Sequence, residues 1–96
     1  MIVRYTRQAG YDLSTILNYI EERSLKGSKS VKQMIRRTVK NIESNPNIGH
    51  EIGRDAVRVI SIGKYPYLVY WTVESDEIWI IHIRHGMREQ WKTPRY

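Results

Sequence analysis

Residues 56–88 constrain the fold more than any other part of the chain. They hold three runs rich in β-branched and aromatic residues, 56–62, 65–73 and 78–85. Gly63-Lys64 and Glu74-Ser75-Asp76-Glu77 separate them. Runs of that composition, with short turn-like breaks, predict an antiparallel β-meander. Glycine at 63 can supply the positive φ of a tight hairpin. Pro66 has no backbone donor, so the start of the second strand is expected on an unpaired side or at a bulge. Residues 68–73 are apolar on both faces and read as the most buried strand. Simple alternation along the third run puts Trp79, Ile81, Ile83 and His85 on one face. It puts Ile78, Ile80, His82 and Arg84 on the other.

Upstream of the meander the period changes. Ile2 to Thr6 alternates apolar and polar groups, as a short strand does. Leu13, Ile16, Leu17 and Ile20 then fall at helical spacing, giving an amphipathic helix over about 8–23. Asp12, Asn18, Glu21 and Glu22 are expected on its solvated face. Residues 24–30, with Gly27, read as a break, and Ser30 with Gln33 fits a capping box. Val31, Met34, Ile35, Val39 and Ile42 continue a second apolar stripe to about Ser44, where Asn45-Pro46 stops it. Two helices joined by so short a break predict a hairpin. The second carries Lys29, Lys32, Arg36, Arg37 and Lys40, a basic face that is either solvated or in contact with an anionic partner. Residues 45–55 read as a loop. The expected fold is α+β, in the order β-α-α-β-β-β. An antiparallel sheet, made of the N-terminal strand and the meander, carries the helical hairpin on one face.

At 96 residues the chain suits a single domain spanning 1–96, with one modest core. The formal net charge of +6 favours an anionic partner, nucleic acid or acidic protein. Cysteine is absent, which excludes disulfides, a thiol nucleophile and a Cys-based zinc site. No apolar run is long enough to span a bilayer, and Arg4, Arg7 and Asp12 interrupt any signal-like N-terminal segment. A cytoplasmic protein without membrane contact is expected.

There is no P-loop, dinucleotide fingerprint or HExxH motif, and no cofactor is expected. His82 and His85 are three apart on a predicted strand, so they point to opposite faces and make a poor metal pair. No metal site is expected. His85, at a strand end, is a candidate general acid or base near neutral pH, or simply a histidine bonded to backbone. If Arg58, Arg84 and Arg88 share a face, they form a cationic surface able to hold a phosphate or an acidic protein. In the tail, Trp91 and Tyr96 interleave with Arg88, Lys92 and Arg95, a pattern that can stack bases and bind phosphates. A frayed terminus with Trp91 folded onto the core has the same pattern.

Ala9, Asp12-Leu13, Ile16 and Tyr19-Ile20, then Asn45-Pro46 and Gly49, then Val57-Arg58, Leu68-Val69-Tyr70 and residues 83–88 occur in an order that resembles the RelE/ParE superfamily of type II toxins. The ending His85-Gly86-x-Arg88 is more similar to the ParE branch. The resemblance implies a growth-arresting toxin neutralised by a cognate antitoxin. A ParE-like member implies binding to DNA gyrase, with Arg58, Tyr70, Arg84, Arg88 and Trp91 as target contacts. A RelE-like member implies ribosome-dependent mRNA cleavage, with Arg58, Arg84, His85 and Arg88 as the catalytic set. Tyr67 stands where the nuclease pattern has an arginine, and Ile60 where it has a second basic group. Both departures favour the ParE-like alternative.

Overall fold

The computed structural model describes residues 1–86. Seven elements follow in order: β1 (Ile2–Tyr5), α1 (Arg7–Glu21), α2 (Leu25–Ser44), β2 (His50–Ile52), β3 (Val57–Ser61), β4 (Tyr67–Glu74) and β5 (Glu77–His85). The strands form one sheet in the order β1-β5-β4-β3-β2. β2 to β5 pair antiparallel, whereas β1 runs parallel to β5. The α+β architecture and the helical hairpin are as expected. The sheet gains a parallel pair and a fifth strand, β2, from residues expected to be loop. Three residues without clear alternation carry too little pattern to announce a strand.

Each helix starts on a hydroxyl cap. Thr6 Oγ1 accepts from the Ala9 N–H at 3.1 Å, and Ser24 Oγ accepts from the Gly27 N–H at 2.8 Å. The second cap corrects the expected helix start at Ser30. In the first turn the N–H groups have no intrahelical partner, so Gly27 interrupts nothing and Ser24 satisfies one of them. The helices are therefore joined by residues 22–24 alone. Ser28 Oγ donates to the Leu17 carbonyl at 3.2 Å and fixes one helix to the other.

The core lies between the hairpin and one sheet face. Ala9 of α1 and Val31, Ile35 and Ile42 of α2 meet Val69 and Trp71 of β4 and Ile78, Ile80 and Ile83 of β5. The centre of β4 is buried as expected. Residues 62–66, rather than a two-residue hairpin, link β3 to β4. Pro66 falls in this turn and not on the strand, with its carbonyl accepting from the Gly86 N–H at 2.7 Å. Ser75 and Asp76 both have positive φ, the pair of values a two-residue type I′ hairpin requires between β4 and β5.

A register shift overturns simple alternation along β5. Tyr70 pairs with His82, but the next residue, Trp71, pairs with Ile80. Ile81 is thus an extra residue, a β-bulge. Directly paired residues share a face, so the bulge changes parity along the strand. Ile78, Ile80, Ile83 and His85 face the helices, and Trp79, His82 and Arg84 face away. Neither of the two expected sets survives intact.

Candidate functional site

α1 closes the bulged edge of β5. β1 covers that edge only as far as Ile80. Beyond it, the Thr6 N–H donates to the Ile80 carbonyl at 3.0 Å and Thr6 Oγ1 donates to the Ile81 carbonyl at 3.2 Å. The next open donor, the Ile83 N–H, goes to Asp12 Oδ2 at 3.1 Å. Buried backbone groups require partners, and α1 supplies them in sequence from Thr6 to Asp12. Asp12 is 8% exposed, which corrects its expected place on a solvated helix face. Gln8 Nε2 donates to its other oxygen at 2.7 Å.

Two side chains of the outer sheet face gather at that carboxylate. His82 Nδ1 lies 3.7 Å and Arg84 Nε 3.9 Å from Asp12 Oδ2. Arg84 Nη2 is 2.9 Å from His82 Nδ1. A guanidinium only donates, so a hydrogen bond between the two needs the tautomer in which Nδ1 accepts. Tyr70 packs edge-on against His82, with ring centroids 6.2 Å apart. Tyr70 itself is buried, at 1% exposure. Beside it, His50, Ile52, Val59, Ser61, Leu68 and Tyr70 line a mainly apolar cavity of about 330 Å³.

The other candidates lie elsewhere. Arg58 pairs with Trp71 on the helix-side face. Its Nε donates to the Ile48 carbonyl at 2.9 Å, and its Nη2 donates to the Asn47 and Gly49 carbonyls at 2.7 and 3.2 Å. Trp71 Nε1 donates to the Pro46 carbonyl at 3.1 Å. Together they staple residues 46–49 to the sheet. Gly49, at φ 74°, fits there because a Cβ would run into the Val59 carbonyl. His85 is also on the helix-side face, at the far end, edge-on to Tyr67 at 5.3 Å. It lines a separate cavity of about 260 Å³ with Thr15, Ile16, Tyr19 and Tyr67. Arg58, Arg84 and His85 therefore do not surround one pocket. Arg88, Trp91 and Tyr96 lie outside the described residues.

Asp12 and His82 were missed as site residues. The signal for Asp12 was its position one residue before the apolar stripe begins. His82 could not be assigned a face without the bulge. Among the described residues, no cluster of three or more His, Asp or Glu is arranged to hold a metal ion, and no helix is long and apolar enough to cross a membrane.

The model of a family described as "ParE toxin of type II toxin-antitoxin system, parDE" matches residues 3–90. No curated protein sequence matches the chain. Among solved structures, a chain of the "Chromosomal ParDE TA system from P. aeruginosa" superposes with a TM-score of 0.77 at 24% identity. The alignment covers 88% of this chain and 95% of that one, a likeness of fold.

Proposed function

Because the chain belongs to the ParE toxin family of type II toxin–antitoxin systems, we propose that it arrests growth by binding DNA gyrase, through contacts and not through bond breaking. It is the toxin of such a pair, with a cognate antitoxin as partner. The observation that carries the binding reading is the separation of its polar groups. Arg84 and His82 stand on the outer sheet face, Arg58 is bonded to loop carbonyls, and His85 faces α1. In-line phosphoryl chemistry needs an acid–base group and a cation converging on one phosphate. Contact with a folded target needs only a shaped surface.

On this reading Arg84, with Tyr70 and His82 behind it, supplies the target contact, extended by Arg88 and Trp91 in the sequence that follows. Arg58 serves by holding residues 46–49 in place. The apolar cavity along β3 and β4 suits side chains of an antitoxin segment. With gyrase as the target, the action is in the cytoplasm.

Purified toxin added to gyrase and relaxed plasmid tests this directly. Supercoiling is expected to fall with toxin concentration and to recover when antitoxin is added. Intact growth arrest with no inhibition at high excess would overturn the gyrase reading. New codon-positioned mRNA ends after induction would favour the ribosome-dependent endonuclease instead.

A further inference from the structure

The net charge of this protein is not spread over its surface. α2 carries six of the sixteen basic residues, Lys26, Lys29, Lys32, Arg36, Arg37 and Lys40, but one of the ten acidic residues, Glu43. Five of the six net positive charges therefore reside on one helix. At 100° per residue, the six cations fall within one arc of the helix, opposite Val31, Ile35, Thr38 and Ile42, which are buried. All six are exposed, and none forms an ion pair among the described residues. The line from Lys26 to Lys40 is about 21 Å long at 1.5 Å per residue.

We propose that this face of α2 docks on the phosphate backbone of duplex DNA. Like charges at i and i+4, as at Lys32, Arg36 and Lys40, destabilise a helix by a few tenths of a kcal/mol per pair. A solvated helix is better served by alternating signs, so the uniform sign works against the fold's own stability. A protein partner is the poorer match. Protein interfaces are depleted in lysine and anchored by buried aromatic groups. Between Lys26 and Lys40 the exposed residues of this helix are the six cations and Gln33, with no aromatic residue among them. A duplex instead presents a dense row of phosphates that point charges neutralise with release of counterions. The choice of DNA over another polyanion rests on the gyrase reading, since gyrase holds duplex DNA beside any inhibitor bound to it. The charge geometry does not depend on that reading.

The test measures anisotropy of a short labelled DNA duplex with purified toxin over a salt series. With six phosphate contacts, log affinity should fall against log salt with a slope of about −5, or about 10³-fold between 50 and 200 mM. A variant with Lys29→Gln, Lys32→Gln, Arg36→Gln and Lys40→Gln should lose about four units of slope, leaving about a 10-fold change over that range. Its Tm should be equal to or above that of the natural chain, which separates lost docking from lost folding. Duplex RNA of the same sequence and poly-glutamate serve as competitors, and both should compete more weakly than unlabelled DNA. A separate supercoiling assay on the natural chain decides the gyrase reading. Gyrase inhibition without DNA binding would overturn the docking face alone, and salt-dependent DNA binding without inhibition would support the face while removing the gyrase target. Binding that ignores salt, a neutralised variant that binds like the natural chain, or stronger competition from poly-glutamate or RNA would each overturn the proposal.

Discussion

Arg58 and Arg84 look interchangeable in the sequence, each set between β-branched residues on a strand. The structure uses them in opposite ways. Arg58 turns toward the helix side and donates to three loop carbonyls, so its charge serves the fold. Arg84 turns to the outer face and meets an imidazole and a carboxylate. The first is a backbone staple whose partners are fixed by chain geometry. The second belongs to a polar cluster whose partners are side chains, and such a cluster can be rearranged by a ligand. Residue type does not separate the two roles. Strand parity and the neighbouring loop do.

The comparison can be broken by measuring stability at each end of it. Trp71→Ala should have the largest effect. It removes a fully buried ring and the bond to Pro46, lowering unfolding free energy by about 4 kcal/mol in urea titrations. Arg58→Ala should follow at about 3 kcal/mol, since it leaves the loop carbonyls without their charged donor. Asp12→Ala should lose about 2 kcal/mol by exposing the Ile83 N–H to an apolar neighbour, and hydrogen exchange at Ile83 should accelerate with it. Arg84→Ala should change stability by less than about 1 kcal/mol and still abolish growth arrest on induction. If Arg84→Ala destabilises as much as Arg58→Ala, the division between staple and contact fails.

The smallest effect concerns Tyr5. Burial raises the pKa of its phenol above the ordinary value, against a smaller opposing pull from Arg36. The sign follows from linkage: the unfolded chain ionises first as pH rises. The contribution is fully present below about pH 10 and is lost as pH climbs toward the raised value. Tyr5→Phe should therefore flatten the fall of Tm in that alkaline window and leave Tm at neutral pH nearly unchanged.

The helical hairpin, the meander and the buried centre of β4 were readable because each rests on a period that side chains repeat several times. What could not be read depends on single residues or on backbone partners. The start of α2 was hidden because glycine usually marks a break, and only Ser24 shows that Gly27 sits in a first turn. β2 was hidden by its three-residue length. Asp12 looked solvated because helix periodicity says nothing about an unpaired N–H on a neighbouring strand. Arg58 looked like an open cation because the three carbonyls it binds lie 9–11 residues upstream, where no side-chain pattern announces them.

Ile81 has a consequence for how this sheet can vary. It acts as a frameshift in three dimensions, with the residues before it written in one phase and those after it in the other. Deleting it would restore strict alternation. His82 would then follow Ile80 directly on the opposite face, as Tyr70 adjoins Trp71 on β4, so His82 and Arg84 would stay outside and Ile83 would stay under the helices. Insertions and deletions in most strands are absorbed at their ends. In β5 the bulge at Ile81 lets one residue be lost in mid-strand while the outer face keeps the same side chains, so this strand has a second place where its length can change.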